Sequence, residues 1–562
     1  MVRLLFILLL CATSPLFAQT KPAASDLHAT PSPQLKRTPV NAATAEARAS
    51  AAFIAARAAG TLSLRSFLER MPKGADLHMH LSGAVYAETL LKDAADDLLC
   101  VDPAKLLFHK NVGTTRSLPA QAVCSDGQVS AASVFAPNAQ RLRDALIDSF
   151  SMRSFTASAG VSGHDQFFAT FERFSLLGKQ HAGEWLDEVT TRAAVQNEQY
   201  LEVMYTPAFT QAAQLASEIG WPSSPRLETG SDNSLPDDLS GTTPAELSAL
   251  RDKLLTGGLR DEIATDRLEF AQALSARNHL EHCGEINALP ACSVQVRFLF
   301  QVLRAFPPEH VFAQTLAAFE IAASDPDVVG VNFVMPEDAY LAMSEYHRQM
   351  SMLDYLHSVY PLVHLSLHAG ELAPGLVPPA GLRFHIREAV VRGHAERIGH
   401  GVDVMYETDP QQLLQDLSRR HVMVEINLTS NEVILGITPR DHPLPLYRAA
   451  HVPIALSTDD EGVSRIDLTH EYTRAASEYG LSYLELKQIA RTSLEHSFLP
   501  GPSLWERRDD FTDVIPACSH QPRGVASPTS ACGTYLQASS HAAQQWELER
   551  RYQVFESSLP RP

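Results

Sequence analysis

The chain has 562 residues, 45% of them hydrophobic and 20% charged, with a formal net charge of −19. That apolar content supports a sizeable core and excludes wholesale disorder. The acidic balance, without basic clusters, excludes a nucleic-acid surface, and the length suits a (β/α)8 barrel with insertions.

The chain begins MVRLLFILLLCATSPLFAQT. One Arg, an apolar run over 4–12 and the small Ala18 before Gln19 predict a secretory signal over 1–18, cleaved near Ala18, because the run is too short to span a bilayer. Export to a periplasm or to the extracellular space follows. Residues 19–40, rich in Pro and Ala, read as a flexible leader, and 41–70 as N-terminal helices. Without Cys11, six cysteines remain: Cys100, Cys124, Cys283, Cys292, Cys518 and Cys532. They fall into three close pairs and form no CxxC, which suits disulfides in an oxidising compartment rather than a cysteine–zinc site. Six cysteines allow 15 pairings; bridging of nearest neighbours is the simplest of them.

GADLHMHLSG (74–83) predicts the first strand and its exit loop. YLEVMYTP (200–207), DVVGVNFVM (327–335), PLVHLSLHAGE (361–371), ERIGHGVDV (396–404), HVMVEINLTSN (421–431) and VPIALSTDD (452–460) predict further buried strands ending in polar residues. Amphipathic stretches such as 407–420 lie between them. This cadence predicts a parallel sheet, and the strand count suits an α/β TIM barrel over 71–500. Two segments interrupt it. Residues 93–165 carry few strand signals and read as an insertion after the first strand; 218–245, rich in Gly, Pro, Ser and Asp, read as a long surface loop. Residues 501–562 form a C-terminal extension with a helical tail.

Active residues of such barrels collect where strands end. Alternation puts His78 and His80 on one face of the first strand, within reach of one ion. HAGE occurs twice. Only the copy at 368–371 follows a strand run, so His368 and Glu371 enter the candidate site. The copy at 181–184 lies among apolar residues at helical spacing, which places His181 and Glu184 at a solvated surface or turn without a catalytic role. His400 stands between glycines that permit close approach. Asp459 and Asp460 end the last run; alone they would read as a helix cap. Three histidines and one aspartate suit one zinc ion per subunit with a position left for water, the machinery of hydrolysis. Glu371 and His400 remain as acid and base.

MPKGADLHMHLSG, SLHAGE, RIGHG and STDD, in this order across about 70–500, resemble the adenosine deaminase family of metal-dependent hydrolases. The signal, the cysteines, the insertion and FSMRSFTASAGVSGHDQFFATF (150–171) are most similar to its secreted, growth-factor-related branch. The resemblance implies conversion of adenosine, and of 2′-deoxyadenosine, to inosine and ammonia. In it His78, His80, His368 and Asp459 hold zinc, Glu371 protonates purine N1, His400 orients or deprotonates the attacking water, and Asp460 bonds near N7.

The chain departs from the family at Ser82, where compact members carry an aspartate expected to contact ribose. It departs again at Asn332-Phe333-Val334-Met335, where the usual pattern is Asp-Leu-x-Gly and a backbone contact to the purine falls at the glycine. Glu337 and His164 are further candidate pocket residues. These departures keep adenine, AMP or a modified nucleoside as alternative substrates, and a secreted adenosine-binding or signalling protein as the alternative class. A cytidine-deaminase chemistry is excluded: His394-Ala395-Glu396 has no PCxxC downstream. Secreted members often dimerise through N-terminal helices, here residues 41–70. No membrane span and no nucleic-acid partner are expected.

Overall fold

In the computed structural model, described over residues 42–115, 120–158, 160–222 and 242–560, eight parallel strands pair in chain order. They are β1 (Gly74–His80), β2 (Glu198–Tyr205), β3 (Gln295–Leu303), β4 (Val328–Val334), β5 (His364–Ala369), β6 (Arg397–His400), β7 (Met423–Ile426) and β8 (Ile454–Leu456). Closure comes just past β8: Asp459 N donates to His78 O at 2.8 Å and His80 N donates to Asp459 O at 3.2 Å. The sheet is the expected (β/α)8 barrel. All of β1 and β2 is buried, as expected for strands with a packed interior on one face and helices on the other.

β3 was not among the anticipated strands. Its sequence QVRFLFQVL alternates, but it ends in neither a metal ligand nor an acid. The run 421–431 is strand only to Ile426; LTSN begins the helix Leu428–Leu435. The insertion is less irregular than expected: Cys100–Asp102, Leu107–His109, Gly113–Thr114, Ala122–Val123 and Val129–Ser130 form short antiparallel ladders. It leads into the helix Gly163–Phe174, opened by a capping box between Ser162 and Asp165.

Helices Ala42–Ala58 and Thr61–Arg70 precede the barrel. The C-terminal extension adds a hairpin, Trp505–Arg507 with Asp510–Val514, before helices Ser530–Ala538 and Ser540–Ser558. The last helix packs at the N-terminal end of β1, where Tyr552 Oη donates to Pro72 O at 2.8 Å and Phe555 meets the Phe67 ring edge-on. Disulfides join Cys100–Cys124, Cys283–Cys292 and Cys518–Cys532, the nearest neighbours in sequence. The signal, the leader and most of 218–245 lie outside the described residues. Among the described residues no helix is long and apolar enough to cross a membrane.

Candidate active site

The C-terminal strand ends bring His78, His80, His368 and Asp459 together, with one donor atom from each within 4.8 Å of the others. His78 Nε2 lies 3.1 Å and His80 Nε2 3.2 Å from His368 Nε2. Asp459 Oδ1 lies 3.6 Å from His78 Nε2 and 3.1 Å from His80 Nε2. Donors at zinc distances in a tetrahedron sit about 3.3 Å apart, so these separations match a shared ion.

The outward ring nitrogens supply a second test of fit. His78 Nδ1 donates to Glu425 Oε2 at 2.6 Å, His80 Nδ1 to Gln301 Oε1 at 2.6 Å and His368 Nδ1 to Asn332 Oδ1 at 3.0 Å. Each acceptor holds a proton on Nδ1 and leaves the Nε2 lone pair facing the common centre, which is how outer partners orient metal-bound imidazoles. Ser430 Oγ donates to the other Asp459 oxygen at 2.6 Å. Glu425 is itself held by Arg397 Nε at 2.7 Å and Ser366 Oγ at 2.9 Å. The donor set and its supports fit a divalent ion, zinc in particular.

Backbone shape aims these groups. A Cβ on Gly399 would stand 2.5 Å from the His78 ring, so only glycine allows β6 to pass that close. His400 and Asp459 take left-handed φ values of 70° and 60°, a costly conformation that turns strand-end side chains towards the centre. Met335 has φ 92°, the region that glycine favours. The position where the family pattern has glycine thus keeps a glycine-like backbone despite its side chain.

Glu371 and His400 stand beside the ligands, with His400 Nδ1 3.7 Å from Glu371 Oε1. Burial, with the Asp459 and Glu337 carboxylates, pushes the Glu371 carboxyl well above its ordinary range, which favours its protonated form. Burial lowers His400 to about 3, which keeps the ring neutral. Its tautomer follows from a chain of bonds. Leu444 N donates to His442 Nδ1 at 3.1 Å, so His442 Nε2 donates to Asn431 Oδ1 at 3.0 Å. Asn431 Nδ2 then donates to His400 Nδ1 at 2.8 Å. The neutral His400 therefore carries its proton on Nε2, which lies 3.9 Å from Asp459 Oδ2.

A cavity of about 570 Å³ opens over this centre, lined by His80, Ser82, Gln301, Met335, His368, Glu371, Asp459 and Asp460. Its outer wall is mostly apolar, with Ser175, Lys179 and Thr206 as its polar members. The helix Gly163–Phe174 supplies Phe167, Phe168, Phe171 and Phe174 at helical spacing, with Trp185 and Phe209 completing it. Asp460 Oδ1 is buried without a hydrogen-bond partner, and burial with the Asp459 charge pushes its carboxyl well above the usual range.

Two anticipated pocket residues stand elsewhere. Glu337 does not line the cavity. It is fully buried behind the HAGE loop and accepts from Gly370 N at 3.1 Å, Glu371 N at 2.7 Å and His385 Nδ1. Burial alone would raise its pKa, but His385, Arg304 and the loop amide of Gly370 hold it down at about 2. His164 pairs with Asp338 at 3.0 Å outside the lining. The first HAGE copy opens the helix Ala182–Val195 as expected, away from the candidate ligands, yet His181 is buried rather than solvated. Gln301, Glu425, Ser430, Asn431 and His442 were not anticipated; only their meeting across strands gives them roles.

A family model described as adenosine deaminase matches residues 280–513, which hold β3 to β8 and, with them, His368, Glu371, His400, Asp459 and Asp460. The chain is 36% identical over 136 residues to an adenosine deaminase of Shewanella loihica, and 35% identical over 137 residues to one of Escherichia coli. Each match covers 24% of this chain, and the chain spans 38% of the length of these relatives. Similar solved structures include an N6-mAMP deaminase of Arabidopsis, at 20% identity and TM-score 0.46, covering 77% of this chain and 96% of that one. An adenine deaminase of Arthrobacter aurescens follows at 15% identity and TM-score 0.47, covering 76% and 94%.

Proposed function

We propose that the chain, whose residues 280–513 match the adenosine deaminase family model, is a zinc-dependent hydrolase converting adenosine, and 2′-deoxyadenosine, to inosine and ammonia outside the cytoplasm. The observation that carries this reading is the three-histidine, one-aspartate cluster, each ring fixed by its own acceptor, with Glu371 beside it at a cavity floor and His400 buried next to Glu371.

Zinc, when bound by His78, His80, His368 and Asp459, supplies activation of a water at neutral pH. Protonated Glu371 delivers its proton to purine N1, making C6 electrophilic. Asp460, protonated and unpartnered, meets N7. His400, through its Nε2 proton, orients the water that attacks C6. Over the cycle the two water protons finish on N1 and on the departing nitrogen.

Export is part of the same reading, supported by the N-terminal run and the three disulfides. So is a homodimer through the two N-terminal helices, which expose Ile54 and Leu62. The second reading, deamination of adenine, AMP or a modified nucleoside, rests on Ser82 and on the mostly apolar outer wall, where a ribose would find few polar partners.

The test is the ultraviolet spectrum of the mature protein with adenosine, 2′-deoxyadenosine, adenine and AMP, before and after chelation. Conversion of adenosine that stops on stripping and returns with zinc is expected. Turnover of adenine or AMP alone selects the second reading, and no turnover by zinc-loaded protein leaves the binding role.

A further inference from the structure

The unused HAGE copy gathers a second group of potential ligands. His181 Nδ1 lies 2.6 Å from Glu184 Oε2 and 3.8 Å from Asp93 Oδ1, and the three atoms all fall within 4.8 Å of one another. Asp93 is fully buried, and its Oδ1 has no hydrogen-bond partner although it faces this cluster. A carboxylate oxygen at such depth without a hydrogen bond is costly unless something satisfies it.

The opposite edge of the ring is already committed. His181 Nε2 lies 3.1 Å from Asp97 Oδ1, an acceptor only. That bond keeps a proton on Nε2, while Nδ1 donates a second proton to Glu184 Oε2 at 2.6 Å; a cation would take the place of that second proton and leave a metal-bound imidazole with its outer acceptor. Asp93 and Asp97 sit in and just past the last turn of the helix Ala87–Asp96, where the helix dipole favours a cation. His181 and Glu184 sit at the start of the helix Ala182–Val195, where it opposes one. The dipoles offset, and three carboxylates around one ring decide the sign.

We propose that Asp93 Oδ1, His181 Nδ1 and Glu184 Oε2 form a second divalent-cation site, separate from the strand-end cluster, that fixes a wall of the substrate cavity. One imidazole with two carboxylates takes zinc or manganese, with water completing the shell on the half-exposed Glu184 side. The link to the cavity is covalently short. Trp185 follows Glu184, lines the cavity and donates from Nε1 to the other Asp93 oxygen at 2.7 Å. A cation on Oδ1 therefore locks the carboxylate that holds the indole.

The experiment is zinc content per chain of the full mature protein after equilibrium dialysis at micromolar free zinc. Wild type is expected to hold two equivalents. His181→Gln and Glu184→Gln should each hold one, His368→Ala one, and His181→Gln with His368→Ala none. Glu184 is half-exposed, so Glu184→Gln keeps the fold if His181→Gln does not, as circular dichroism will verify. Quenching of indole fluorescence by the second equivalent should vanish in Trp185→Phe. The proposal falls if Glu184→Gln binds as much zinc as wild type. Loss of an equivalent there with none lost in His368→Ala would instead overturn the strand-end site and leave this one standing.

Discussion

The amide of Asp459 donates to the carbonyl of His78 at 2.8 Å, so the bond that closes the barrel joins two of its four candidate metal ligands. Closure and ligand geometry are one constraint. The strained φ of 60° at Asp459 is held by that bond on one side and by Ser430 on the carboxylate.

Glu425 links the ligand set to the buried charges beneath it. It accepts from His78 and pairs with Arg397, which also meets Glu202 at 2.7 Å, all fully buried. Glu425→Gln removes the charge that anchors His78 and leaves Arg397 with one carboxylate partner, Glu202. Zinc affinity should fall by about 10–100-fold, read by competition with a chromophoric chelator. The unfolding free energy should fall by about 3 kcal/mol or more, since a buried pair has been broken.

Asn332 occupies the position where the family pattern has aspartate, and its amide explains the exchange. Oδ1 accepts from His368 Nδ1 at 3.0 Å while Nδ2 donates to Ser366 O at 2.7 Å. A carboxylate meets the first need and opposes the second. Asn332→Asp should destabilise the protein by about 1–3 kcal/mol while zinc stoichiometry stays unchanged, as denaturation and metal analysis will show.

Glu337 gives a pH signature. Its carboxyl is held at about 2 when folded, against 4.5 for an ordinary glutamate. A depressed folded pKa contributes stability that is fully present above about pH 4.5 and is lost as pH falls towards 2. The shift corresponds to about 3 kcal/mol. Glu337→Gln should therefore lie about 3 kcal/mol below wild type at pH 7, with the gap closing as pH falls from 4.5 to 2. A gap independent of pH would assign Glu337 a purely steric role.

What the sequence revealed is tied to where ligand residues stand in it. His78, His80, His368, His400 and Asp459 each end an apolar run, so local pattern and barrel chemistry suffice to find them. Gln301, Glu425 and Ser430 stand on or beside strands with no such mark, and each acts through a partner 29 to 347 residues away. β3 was missed for the same reason: QVRFLFQVL carries Arg297 and Gln301 but no strand-end ligand. His181 was misplaced at the surface because the acids that bury it, Asp93 and Asp97, come from the insertion, 88 and 84 residues earlier. Glu337 looked like a pocket acid because its true partners, the HAGE amides and His385, are brought to it only by folding.

Asn431 sets the tautomer of His400. Its amide donates to His400 Nδ1 because its carbonyl is occupied by His442. Asn431→Asp would accept from both rings, moving the His400 proton to Nδ1 and turning a bare Nε2 lone pair towards the water. If His400 acts by donating from Nε2, kcat should fall by about 10–100-fold, the scale of outer-partner losses, with KM little changed because only the reacting geometry is altered. Zinc content should stay at the wild-type value, which separates this loss from damage to the ligand set. An unchanged or raised kcat would identify His400 as the base that deprotonates the water, with Asn431 holding it in the less reactive tautomer.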